Sequence, residues 1–275
     1  MITLYLERFK QNRLAVAGSV VIVVLALLAI ASPWIAPHDP TAQDLTQRLL
    51  APSSRHWMGT DDLGRDVFSR LLIGARISLS VGFVAVGIAL VVGTCLGLCA
   101  GFFGGWTDTL IMRLVDVMIS IPTLFLILAV LALLGPNIYN VMAIIGLTSW
   151  PGLARLVRGE CLSVREREFI QAARLTGISH TRLLFVHILP NVIAPILVSA
   201  TLGVGGAVLT ESALSFLGLG VQPPMPSWGN ILSIGRDYLH IAWWLSLFPA
   251  LAILITVLAF NLLGEGLRDV LDPRT

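Results

Sequence analysis

The stretch ISLSVGFVAVGIALVVGTCLGLC, from Ile77 to Cys99, contains no charged side chain. A helix needs about 20 apolar residues to cross the ~30 Å hydrocarbon layer, and no backbone amide can stay unpaired there, so this run reads as a membrane-spanning helix. It follows Arg76 and is expected to close at the glycine-rich turn Gly101, Gly104, Gly105. Five further runs lie around it. The first, Leu14 to Ala31, is preceded by Arg8, Lys10 and Arg13 and followed by Pro33 and Trp34. Ala29-Ile30-Ala31 has the small-x-small form of a cleavage site, but the run exceeds the core of about 7–15 residues of a signal peptide, so a retained anchor over about 14–32 is expected. The third opens near Asp108, carries Arg113 and Asp116 three apart on one face, and continues as uncharged Val117 to Leu134. A charge at the bilayer centre costs about 3 kcal/mol, so this helix is expected to project from the membrane before entering it. After the turn signal Gly135-Pro136-Asn137, the fourth covers Ile138 to Ala154, the fifth Ile188 to Thr210 and the sixth Ile241 to Leu263, with Trp243 and Trp244 as an aromatic belt. Ser212 to Gly235, rich in proline and glycine, reads as a loop or re-entrant turn.

Composition agrees. Of 275 residues, 56% are hydrophobic and 12% charged, about half the ~25% charge of a soluble domain. The net charge of +2 is too balanced for a nucleic-acid binder. Cys95, Cys99 and Cys161 read as small buried hydrophobes, and the single lysine, Lys10, has no phosphate-cradling loop before it, so the chain does not hydrolyse ATP by that route. Neither H-E-x-x-H nor G-x-S-x-G occurs. No enzyme activity, catalytic residue, cofactor or metal is expected.

Six spans put both termini on one side. With the termini cytoplasmic, the inside receives twelve basic residues (Arg8, Lys10, Arg13, Arg113, the six arginines from Arg155 to Arg182, Arg268 and Arg274) against six outside, as the positive-inside rule requires. The fold class is therefore an all-α integral membrane protein with six transmembrane helices and both termini cytoplasmic. Residues 1–75 form the anchor and an extracytoplasmic segment, 76–265 a core with a cytoplasmic loop at 159–187, and 266–275 a tail.

That loop is the place for an internal partner to dock. Ser163 with Glu166 matches a capping box. Phe169, Ala172, Ala173 and Thr176 recur at helical spacing, Gly177 supplies a left-handed helix end, Ser179 can cap the next helix, and Pro190 falls in the first turns of span five. An alanine face ringed by Arg165, Arg167, Arg174, Glu166 and Glu168 suits a protein groove; the competing reading is a helix lying on anionic lipid.

Gln171-Ala172-Ala173, Gly177 and Ile188-Leu189-Pro190 resemble the E-A-A-x-x-x-G loop of ABC importer permeases, with glutamine in place of the glutamate and Ile188 adjacent to Leu189. Trp57 to Asp61 with Gly64-Arg65-Asp66, then Ser212 to Gly220, Pro223, Ser227-Trp228-Gly229, Asn261, Gly264, Leu267 to Asp269 and Leu271 to Pro273 are similar to the C-type permease of the peptide/nickel import group, over nearly the whole chain. The resemblance implies a type I importer permease fold in the bacterial inner membrane. It implies that Gln171, Ala172, Ala173, Arg174, Gly177, Ile188, Leu189 and Pro190 couple to the ATPase. It also implies a homologous B-type partner, two ATPase subunits and an extracytoplasmic substrate-binding protein. Members of that group carry peptides, nickel or its chelates, glutathione and some sugars; the residues do not choose among these. The rival readings are a secondary transporter or channel, for which spans one, two, four and six carry no coupling charge, and a membrane hydrolase.

Asp61, Asp62, Arg65, Asp66 and Arg70 form a charged knot, expected to be a solvated, self-paired surface, with docking of the binding protein as its functional version. Glu211 ends a long uncharged run and is read either as a helix-end group bonded to the following loop or as part of the translocation path or outer gate. His180 and His187 lack a third ligand, and His38, His56 and His240 are scattered and have no assigned role.

Overall fold

The computed structural model describes residue 7 and residues 9–271; Arg8, Asp272, Pro273 and Arg274 lie outside the described residues. Nine helices of eight or more residues follow one another through the described chain, which holds no strand beyond one isolated bridge, Thr60 to Asp66. Helix α1, Arg13–Ile35, starts where Asn12 accepts the Ala15 amide. A segment of turns with one 3-10 turn at Leu45–Gln47 leads to α2, Val67–Phe103, capped by Asp66. Then come α3, Gly105–Ser120; α4, Thr123–Leu134; and α5, Ile138–Arg165. The short α6, Glu168–Leu175, precedes α7, His180–Phe216, whose stretch Leu183–Ile188 is π-helical. Helices α8, Trp228–Asp237, and α9, Trp244–Leu271, complete the fold.

Helices α1, α2, α7 and α9 are long and apolar enough to cross a bilayer, and α3 with α4 makes a fifth if a pair bent by 86° counts as one broken span. That break corrects the expected continuous run from Val117 to Leu134. Pro122 crowds the preceding residue out of the helical region, and Ile121 is accordingly extended at φ −94°, ψ 124°. Helix α5 is 28 residues long, about 42 Å at 1.5 Å per residue, but is not among the helices apolar enough to be a candidate span.

Most helices outrun the uncharged stretches that announced them. α2 begins ten positions before Ile77, because Asp66 accepts the Ser69 amide at 2.8 Å and starts the helix there. α5 continues through Ser163, so no capping box forms at Ser163 and Glu166; Arg167 precedes α6 instead, without a side-chain cap. The reason is packing: Val157, Cys161 and Val164 recur along one face and are buried together with Leu98 and Phe102 of α2. A capping box at Ser227 and Asn230 opens α8, so the segment Ser212 to Gly235, expected as a loop or re-entrant turn, consists of a helix end, a loop and a short helix. Pro190 is the second residue of the α-helical stretch Leu189–Phe216 of α7, in its first turn as expected. Its missing amide and its ring break the regular ladder, and the π-helical stretch just before it absorbs the mismatch.

The core is built on the α2–α5 pair. Gly93, Gly97 and Gly101 line the α2 face that meets α5. A methyl group on Gly97 would lie 2.6 Å from the Ala154 carbonyl oxygen, and one on Gly101 would lie 2.9 Å from that of Arg158. Gly146 of α5 returns the contact, 2.7 Å from the Ala85 oxygen on the same measure. Small residues at four-residue spacing let backbones approach this closely where lipid supplies no hydrophobic drive. α7 and α9 close the bundle around Val81, Ala85, Ile145, Val208 and Phe260.

Three of the six arginines between Arg155 and Arg182 serve this assembly. Arg158 forms a bidentate pair with Asp108, and Arg155 reaches Asp116 at 2.5 Å, so Asp116 pairs across to α5 rather than with Arg113. Arg165 donates to the Gly101 and Phe102 carbonyls at 3.1 and 3.2 Å, a cation at the C-terminal end of α2, where helix carbonyls lack partners.

Candidate functional site

Helix α6 and the turn after it form an elbow. Ile170 is fully buried among Val164, Leu183 and Ile188, and Arg174 stacks over the Phe102 ring at 5.7 Å. These contacts pin one side only. Phe169 is 45% and Leu175 89% exposed, and Gln171, Ala172 and Thr176 also face outward. The elbow ends where the Thr176 amide meets the Ala172 carbonyl at 3.3 Å and Gly177 adopts φ +71°, a conformation that glycine enters without steric cost. Ser179 then caps α7 by accepting the Arg182 amide. Gln171 donates to the Glu166 carbonyl at 3.2 Å. The residues singled out from the sequence therefore divide. Gln171, Ala172, Arg174 and Gly177 are exposed and Ala173 is half-buried, whereas Ile188 is fully buried beneath them, Leu189 half-buried and Pro190 exposed on α7.

Glu211 lies on the same helix as Ile188 but more than twenty residues further along. It is fully buried and accepts from Ser78 of α2 at 2.9 Å and from Ser215 at 2.6 Å. Ser215 in turn accepts the Val221 amide at 3.0 Å, and Ser78 the Trp228 amide at 3.4 Å. The carboxylate thus ties α2, α7, the following loop and α8 together.

A cavity of about 380 Å³ opens between α2, α5 and α7. Ala85, Ala89, Gly152, Ala200, Gly203 and Gly206 keep it wide; Ser149, Ser199 and Thr210 are its polar lining, and no charged side chain reaches it. The sequence shows these small residues but not that three separated helices bring them to one wall.

The charged knot between α1 and α2 is self-paired but buried, which corrects the solvated reading. Asp61 is fully buried and accepts the Leu63 and Arg65 amides at 3.0 and 2.9 Å and the Arg65 guanidinium at 2.7 Å; Arg70 approaches it at 3.4 Å. Tight turns at Gly59 and Gly64, both at positive φ, fold the segment over these groups. Trp244 seals it from α9, donating to the Thr60 carbonyl at 3.1 Å while only 4% exposed. Trp243 alone is left for an interfacial belt, at 51% exposure. Burial holds the Asp62 carboxyl above the usual carboxylate range, and the Asp61 charge pushes it further the same way. His180 packs edge-on against Phe102 and Phe103.

With this geometry in view, similarity to known proteins assigns the chain. Residues 93–275 match the family described as binding-protein-dependent transport system inner membrane component, and residues 3–52 match the N-terminal TM domain of oligopeptide transport permease C. The dipeptide transport system permease protein DppC of Alkalihalophilus pseudofirmus is 47% identical over 268 residues, covering 98% of this chain and 88% of that protein. The probable D,D-dipeptide transport system permease protein DdpC of Escherichia coli is 46% identical, covering 96% and 89%. The glutathione transport system permease protein GsiD of Pectobacterium atrosepticum is 44% identical, covering 98% and 89%. Among solved structures, the inward-facing MetNI methionine ABC transporter matches with a TM-score of 0.58 at 19% identity, over 72% of this chain and 95% of that one. An amino acid ABC transporter matches with 0.55 at 17%, over 74% and 92%. At those identities the structures speak for the fold, and the sequence relatives for the family. The chain belongs to the inner membrane components of binding-protein-dependent transport systems, and within them to the C-type permeases.

Proposed function

We propose that this chain forms one half of the membrane pathway of an ATP-driven importer of short peptides, and that the elbow Glu168 to Gly177 transmits closure of an ATPase pair to the spans. In this reading α5 is the sixth crossing, both termini lie in the cytoplasm, and the segment between α1 and α2 faces the binding protein. α5 is more polar than the other spans because the α2 seam and the arginine pairs to α3 shield it from lipid.

The observation that carries the reading is the divided elbow: an inner face anchored by Ile170 and an outer face, Phe169, Ala172 and Leu175, that stays exposed in the described chain. A rigid element fixed on one side and bare on the other can pass motion from a docked partner into Leu183–Ile188 and so into α7. The uncharged cavity supports a neutral wall for a cargo that other subunits select. Relatives bearing the names of dipeptide, D,D-dipeptide and glutathione systems support a short peptide as that cargo.

The test is reconstitution in proteoliposomes with a B-type partner permease, two ATPases and the binding protein. ATP-dependent uptake of a dipeptide is expected. Uptake driven by an ion gradient with the ATPases omitted would overturn the reading, and ATP-dependent uptake of nickel but not of dipeptide would overturn the cargo.

A further inference from the structure

His38, His56 and Asp66 come from separate parts of the segment between α1 and α2, yet one ring nitrogen of each histidine and one oxygen of Asp66 all lie within 4.8 Å of one another. The oxygens around them favour one tautomer of each ring. His38 Nε2 is 3.0 Å from the Arg55 carbonyl, which can only accept, so Nε2 holds the proton and Nδ1 the lone pair. His56 Nε2 is 2.9 Å from Gln47 Oε1, and Gln47 is oriented by its own amide nitrogen, 2.5 Å from Asp44. His56 is therefore also protonated at Nε2. Its Nδ1 then faces Asp66 Oδ1 at 2.8 Å, where a neutral ring would set lone pair against lone pair. At 2.8 Å the two atoms stand where one shared positive ion, a proton or a metal, would bridge them. Neither guanidinium nearby supplies it, since Arg65 and Arg70 both turn to Asp61.

We propose that His38, His56 and Asp66 hold a divalent metal cation of borderline softness, of the Zn2+ type, in a resident site separate from the transport cavity. Two imidazoles and one carboxylate are the donor set such ions take, with a fourth position left to water; His38 is half-buried and leaves that side open. Bonds of about 2.0–2.1 Å require donors about 3.4 Å apart, so His56 Nδ1 and Asp66 Oδ1, 2.8 Å apart, would open by about half an ångström, while all three donors already lie within 4.8 Å of one another. The outer shell is already complete. Each imidazole donates its other N–H to a protein oxygen, and Asp66 Oδ2 accepts the Ser69 amide and hydroxyl at 2.8 and 2.7 Å, the supports that orient metal ligands. A bound ion would staple residues 38 and 56 to the start of α2.

The test uses the full chain without an affinity tag, in detergent, stripped with a chelator and titrated with Zn2+ by calorimetry. One site per chain is expected, with a rise in melting temperature on loading. His38→Ala should weaken binding at least tenfold and abolish the rise, and His56→Ala should do the same; Asp66 is left intact because it caps α2. A chain that binds no Zn2+, or a site that His38→Ala leaves unchanged, overturns the proposal. Should His38→Ala fail to fold, Co2+ added to the unaltered chain decides: a four-coordinate, nitrogen-ligated ligand-field spectrum supports the site, and an aqua-ion spectrum refutes it.

Discussion

Replacing Gly97 by alanine tests the seam on which the bundle is built. The added methyl would stand 2.6 Å from the Ala154 carbonyl oxygen and 2.8 Å from Val157 Cβ. Ordinary carbon–oxygen contact needs roughly 3.3 Å, so α5 would have to retreat by more than half an ångström. It cannot do so locally, because Gly93 and Gly101 hold it on either side and a backbone carbonyl, unlike a side chain, has no other rotamer. Overpacking of this kind costs about 1–3 kcal/mol, and the gain of about 0.5–1 kcal/mol from replacing a helical glycine offsets part of it. The net expectation is a loss of about 1–2 kcal/mol. Gly87 on the same helix has nothing within 4 Å of its would-be methyl, so Gly87→Ala should show the gain alone. Reversible unfolding of both variants in mixed micelles reads the difference directly. Equal stabilities would refute the close-packed seam.

Four residues outside the seam give further expectations. Asp61→Asn leaves two buried guanidiniums without their shared anion and should cost about 3–5 kcal/mol, read as a lower melting temperature; a change below 1 kcal/mol would deny the knot its structural role. Asp62 has the opposite sign: its carboxyl is held above the usual range, so its contribution to stability is full at low pH and is lost as the pH rises through the raised value. Asp62→Asn should therefore gain stability relative to the unaltered chain as the pH rises, and a parallel pH profile for the two would refute this. A Cβ at Gly177 meets no atom within 4 Å, but valine there cannot adopt φ +71° without strain; Gly177→Val should insert normally and lose ATP-coupled uptake, and normal uptake would count against a fixed elbow. Glu211→Leu strands the Ser78 and Ser215 hydroxyls and should lose about 1–3 kcal/mol, whereas Glu211→Gln keeps an acceptor and should still transport; loss of uptake in a fully stable glutamine variant would return Glu211 to the gate.

The spans α1, α2, α7 and α9 were legible because absence of charge over a long run has one physical meaning in a membrane. Their ends were not, since a helix stops where caps and packing stop it rather than where the apolar run does. Asp66 starts α2 well before Ile77, and the buried face Val157, Cys161, Val164 carries α5 through a sequence that matched a cap. Pro122 was a readable break that the uncharged run around it obscured. The glycines at 93, 97 and 101 carry a signal in their four-residue spacing, but a glycine in an apolar run reads equally as a turn, as at Gly101. The elbow was legible at Gly177 and Ser179, where backbone conformation and capping are local properties. The burial of Asp61 and the meeting of His38 with His56 and Asp66 were not, because they depend on how turns fold a segment back on itself.

The claim that the elbow is the docking point for an ATPase is tested most directly by placing a photo-crosslinking phenylalanine analogue at Leu175 and at Phe169, the two large apolar residues exposed on α6, with Trp34, 81% exposed at the far end of α1, as the control. In membranes containing the assembled transporter, illumination should join Leu175 and Phe169 to an ATPase subunit and leave Trp34 unjoined to it. Adducts with lipid alone at both elbow positions, or an ATPase adduct at Trp34 instead, would contradict the account.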